Sequence, residues 1–120
     1  MAEYLLYFNQ QWVGEHPAEW FASRAPLALA VVDEMRAAGV YVFAGGLEED
    51  APVYSVDPTV GDEVVVTDGP YVETQEFLGG FAVVDVPDDA AAREWGARIS
   101  AACGWPHEIR RFGRNPDLPA

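Results

Sequence analysis

Asp68 and Glu73 flank the segment Gly69-Pro70-Tyr71-Val72. Two carboxyl groups beside a partly apolar pocket can have their proton affinities driven apart, leaving one as an acid and the other as a base. Gly69 accepts backbone conformations closed to other residues, while Pro70 removes an amide donor and fixes φ. The β-branched run Glu63-Val64-Val65-Val66-Thr67 must therefore turn at this point. Further on, Gly79-Gly80 mark a bulge, or a place where a ligand or another backbone approaches closely. Asp68, Gly69, Pro70, Tyr71, Glu73, Gly79 and Gly80 thus form the candidate ligand-binding set, suited to a cationic or hydrogen-bond-donating small molecule. Asp68 and Glu73 are also the candidate acid–base pair. His107, next to Glu108, joins one of the carboxylates as acid or base if the last strand adjoins the hairpin. Plainer readings stand beside each role: Asp68 as a turn residue satisfying backbone N–H groups, Glu73 as a strand-edge charge, Tyr71 as a core or interface aromatic, His107 as an exposed edge histidine.

Other chemistries have less to draw on. His16 and His107 fall in no HxxxH, HxH or Cys/His spacing, so no metal is expected. Ser23, Ser55 and Ser100 sit in no nucleophile elbow. Gly45-Gly46 and Gly79-Gly80 lack the Lys or helix start of a phosphate cradle, and no cofactor is implied. The single cysteine, Cys103, has no disulfide partner and reads as a small buried hydrophobe where a helix closes.

Charge narrows the partners. Twenty acidic residues face seven basic ones, all arginine, for a formal net charge of −13. Nucleic acid and anionic membranes draw affinity from basic clusters, so neither is expected as a direct partner. Between Arg36 and Arg93 the chain carries only acids, from Glu48 to Asp89. Most of these read as a solvated surface, with some placed to meet Arg110, Arg111 or Arg114. At 120 residues the chain fits one domain. No apolar run approaches the roughly 20 residues of a membrane span, and Met1-Ala2-Glu3-Tyr4 enters strand-like sequence without an export signal, so the expected location is cytoplasmic.

The elements that must hold these residues follow from periodicity. Glu3 to Phe8 reads as a buried strand. Pro17 to Ala38 reads as helical, ended by Gly39, with Pro26 dividing it into two pieces and Leu27, Val31, Met35 and Ala38 as its core stripe. Val40 to Phe43 is a strand that Gly45-Gly46 bends away. Val53 to Val56 and Glu63 to Thr67 make a hairpin, and Phe77 to Val86 another strand. Pro87-Asp88-Asp89 starts a helix whose stripe is Ala92, Trp95, Ile99 and Ala102, closed by Gly104. His107 to Phe112 is the last strand, and residues 113–120 form a tail beyond a domain of residues 1–112. The order β, α, β, hairpin, β, α, β is an α+β chain on the ferredoxin-like split βαβ plan with an added hairpin. Strand aromatics Tyr4, Tyr7, Phe43, Tyr54, Phe81 and Phe112 point to a second sheet face buried against another copy, hence a homodimer.

Thr67-Asp68-Gly69-Pro70-Tyr71-Val72-Glu73-Thr74-Gln75-Glu76-Phe77-Leu78-Gly79-Gly80-Phe81 resembles the signature of YCII-related proteins of the DGPF-domain subgroup, with Tyr71 where that subgroup usually has Phe. Arg36 to Val40, Gly46-Leu47, Ala91 to Arg98 and Glu108-Ile109-Arg110 extend the likeness over nearly the whole chain, the tail and Gln11 to Arg24 excepted. The resemblance implies a bacterial dimeric α/β barrel of ferredoxin-like subunits, of mostly unassigned biochemical role. A His and an Asp proposed as an acid–base pair in some members correspond here to Ala28 and Ala37, and Pro26 falls where relatives have an uninterrupted helix. Three roles from different classes are left: a small-molecule binding protein with weak acid–base catalysis at most, an accessory module associated with extracytoplasmic-function sigma factors, and a non-catalytic structural dimer.

Overall fold

The computed structural model describes residues 1–70 and 76–114. Its elements run in the order β1 (Ala2–Asn9), α1 (Ala18–Ala37), β2 (Tyr41–Gly46), β3 (Tyr54–Asp57), β4 (Val65–Asp68), β5 (Leu78–Val86), α2 (Asp89–Cys103) and β6 (Glu108–Arg111), with a short 3-10 turn over Gln10–Trp12. The fold is α+β.

The apolar run at Tyr4 to Phe8 puts β1 in the middle of a sheet ordered β2-β5-β1-β6, in which every neighbouring pair is antiparallel. Register then sorts the side chains by alternation. Tyr4 lies opposite Val84 and Arg111, and Leu6 opposite Ala82 and Ile109, on the face that the helices cover. Leu5, opposite Val83 and Arg110, and Tyr7, opposite Phe81 and Glu108, share the face without helices. The core is a single layer in which Tyr4, Leu6, Ala82, Val84 and Val86 meet Val31 and Met35 of α1 and Ala92, Ile99 and Cys103 of α2. Leu6, Met35, Val84 and Val86 are its largest fully buried side chains. Each such burial contributes roughly 1.5–3 kcal/mol.

Local chemistry sets the helix ends. Asp88 caps α2 by accepting the Ala91 N–H at 2.9 Å, and Gly104 closes it at φ +93°. Pro26 does not divide α1. It lies inside one continuous helix, at an exposed position where the carbonyl it leaves without a helical partner can meet water. Leu27 is 48 % exposed, because α1 turns the stripe Ala28, Val31, Val32 and Met35 to the sheet instead. Gly45 and Gly46 do not bend the chain away; they end β2 opposite Phe81 and Gly80.

β3 and β4 pair with each other in a separate two-stranded sheet, with Tyr54 opposite Asp68. Its valines, Val56 and Val66 among them, stay exposed. The main sheet is open at β2 and β6, so no barrel closes within the chain. The molecule is flat, 48 × 44 × 18 Å, with a radius of gyration of 16.7 Å. A compact chain of this length has about 13.6 Å.

Candidate functional site

The Asp68-Gly69-Pro70 turn is clamped to β3. Gly69 adopts φ +99°, a conformation that side chains disfavour, and from there donates its N–H to the Val53 carbonyl at 2.7 Å. The Ser55 hydroxyl in turn donates to the Gly69 carbonyl at 2.6 Å. Pro70 is thereby fixed as one wall of an open hollow of about 350 Å³. Val53 to Val56 form a second wall and Glu76, Phe77 and Leu78 a third.

The third wall is tied to the end of β1. The Glu76 carboxylate accepts hydrogen bonds from Asn9 at 3.0 Å and from the Trp12 indole at 3.4 Å. The Phe77 N–H donates to Gln11 Oε1 at 2.9 Å, and its carbonyl accepts the Gln10 N–H at 2.6 Å. Side chains here are mostly apolar, with Glu76 the one carboxylate on the described lining. Such a surface suits a flat apolar group bearing a donor or a positive charge at its acidic rim.

The sequence-derived candidates divide in this geometry. Pro70 lines the hollow; Asp68 ends β4 as an exposed residue and does not. Its carboxylate accepts no hydrogen bond from another described residue, and the amides after Pro70 lie outside the described residues. Tyr71 and Glu73 lie outside the described residues. Gly79 and Gly80 are buried, and the space in front of them is filled. A Cβ on Gly79 would come within 2.5 Å of the Phe8 ring, and one on Gly80 within 3.0 Å of the Gly45 carbonyl. They admit the Phe8 ring and the β2 backbone.

His107 is half-buried and packs against Phe8, with ring centroids 5.1 Å apart. Its Nδ1 lies 3.1 Å from the Trp105 carbonyl, which can only accept, so Nδ1 carries the proton and Nε2 keeps its lone pair. Burial lowers the pKa of the ring below its ordinary 6.5. No described hydrogen bond joins it to Asp68, and Glu108 accepts the Tyr7 hydroxyl proton at 2.5 Å. The acid–base grouping of Asp68 with His107 is therefore not assembled among the described residues.

Burial pushes the Cys103 thiol up to about 11, which leaves almost no thiolate at neutral pH. Among the described residues no cluster of three His, Cys, Asp or Glu side chains could hold a metal, and no helix is long and apolar enough to cross a membrane. The sequence reading missed Val53 to Val56 and Phe77 as hollow-lining residues. The available signal was the hairpin: a strand with no second layer to bury its apolar face leaves that face to line something else.

The sequence model of the YCII-related domain matches residues 12–104. The chain belongs to the YCII-related family. The match takes in both helices, the hairpin, β5 and the Asp-Gly-Pro turn, so the walls of the hollow fall within the YCII-related region. No curated protein matches the chain.

Proposed function

We propose that this YCII-related protein belongs to the DGPF subgroup and binds a small, largely apolar molecule with a cationic or hydrogen-bond-donating end in the hollow beside Pro70. The observation that carries the reading is the clamped turn: Gly69 spends two hydrogen bonds on holding Pro70 opposite Phe77 and Leu78. Glu76 supplies negative charge on the lining of the hollow, and Asp68 supplies it at the end of β4. Binding without proton transfer fits better than acid–base catalysis, because the described partner of the His107 ring is a carbonyl and Asp68 has none.

The working form in this proposal is a homodimer of ferredoxin-like subunits, a dimeric α/β barrel. The order β2-β5-β1-β6 with both helices on one face supports the subunit plan. The dimer is supported by the flat shape and by Phe43, Phe81 and Leu5 on a sheet face without helices.

The test uses phenethylamine and its neutral counterpart phenethyl alcohol, followed by amide chemical shifts. Both are expected to shift Val53 to Val56 and Glu76 to Leu78 saturably at millimolar concentration, the amine binding a few-fold tighter. Asp68→Asn should reduce that preference and leave the fold intact. If neither compound moves those amides, the hollow is not a binding site.

A further inference from the structure

At the opposite end of β1 from Pro70, a second cavity of about 330 Å³ opens at the mouth between sheet and α2, lined by Tyr4, Asp89, Arg93, Ile109 and Arg111. Tyr4 and Arg111 are cross-strand neighbours on the helix-covered face, and Asp89 and Arg93 stand one turn apart at the start of α2. Two of the seven arginines in a chain of net charge −13 thus converge on one small space.

Among the described residues neither guanidinium group has an ion-pair partner. The described ion pairs of the chain are Arg36–Asp33 and Arg98–Glu34, and neither involves Arg93 or Arg111. Asp89, the one carboxylate lining the cavity, accepts the Tyr4 hydroxyl proton instead. That bond, with the nearby carboxylate and burial, holds the phenol above its ordinary pKa of 10.0, while Arg111 acts the other way from across the strand pair. With Arg93 and Arg111 outside the described ion pairs and Asp89 the one carboxylate on the lining, the cavity carries a net positive charge in a chain of net charge −13. The N-terminal end of α2 adds its partial positive charge on the same side.

We infer that the Arg93–Arg111 cavity is a binding site for a small oxyanion, a carboxylate or phosphate head group held between the two guanidinium forks. Planar two-oxygen anions match the fork geometry, and the Tyr4–Asp89 bond fixes the floor of the site so that Asp89 does not swing onto either arginine. Nothing in this inference depends on the hollow beside Pro70, which lies at the far end of β1 and prefers the opposite charge.

The full-length protein is titrated separately with sodium acetate, inorganic phosphate and sodium chloride at matched ionic strength, and the backbone amides of residues 89–93 and 109–111 are followed. Saturable shifts with acetate or phosphate but not chloride are expected, and the better of the two identifies the head group. Arg93→Gln and Arg111→Gln should each weaken binding roughly tenfold or more, while Arg114→Gln, outside the cavity, should leave it unchanged. Arg93→Lys keeps the charge without the fork and should bind at an intermediate level, which also covers the case in which Arg93→Gln fails to fold. Equal shifts with chloride, absence of saturation, or binding indifferent to both Arg93→Lys and Arg111→Gln would overturn the assignment.

Discussion

The half-buried ring of His107 should make stability depend on pH. Its pKa is depressed by burial below 6.5, so over the interval beneath that value the unfolded chain takes up a proton that the folded chain refuses. Stability conferred by the neutral ring is thus fully present above about pH 6.5 and is lost as pH falls toward the folded value. Urea unfolding midpoints between pH 7.5 and 5 should decline for the wild type and decline less for His107→Gln, and the ring should titrate below 6.5 by NMR. The sequence placed His107 at the start of the last strand but not its burial, which depends on Phe8 arriving from β1 at the other end of the chain. Gly69 was more legible, because the need for positive φ is written into Asp-Gly-Pro itself. Gly79 and Gly80 were legible only as positions of close approach. Whether a ligand, a ring or a backbone fills that space is settled by pairing with β1 and β2.

α2 is the element whose ends the sequence spells out. Asp88 satisfies a backbone N–H that would otherwise have no partner, and Asp88→Ala should cost about 1 kcal/mol, read as a lowered unfolding midpoint with little change in slope. Removing Asp89 instead would break the Tyr4 bond and leave the cap in place, so the two neighbouring acids are separable by experiment. α1 was harder to read. Pro26 carries a strong local instruction to stop, yet burial of Val31 and Met35, together with Ala28 and Val32, outweighs a cost of about 3 kcal/mol. The ion pair of Arg98 with Glu34 ties the two helices together on the solvent side, and Arg98 also stacks over Trp95 of its own helix. The hairpin was read from Val53 to Thr67 within a residue or two, but its separation from the main sheet was invisible, since nothing in a strand's own residues says which edge it will join.

Taken as one body, the chain is a two-layer slab with an apolar sheet face and an apolar hairpin left bare. In the proposed dimer these surfaces are covered by the second copy, and light scattering should return twice the 13.1 kDa chain mass. Phe43, 52 % exposed and 5.8 Å from Phe81 on the helix-free face, is the residue to change: Phe43→Asp should yield monomers that retain their helical signal. A wild-type protein of single-chain mass at all concentrations would remove the dimer from the proposal. The unpaired hairpin also bears on behaviour in concentrated solution. Val56, Val64, Val65 and Val66 offer the kind of short β-forming stretch that recruits like strands into fibrils, and they are interspersed with Asp57, Asp62, Glu63 and Asp68. Those carboxylates serve as electrostatic gatekeepers, and their repulsion fades as the solution nears the isoelectric point of about 4.2. The acidity that looks like mere surface decoration thus opposes edge-to-edge pairing of the bare hairpin.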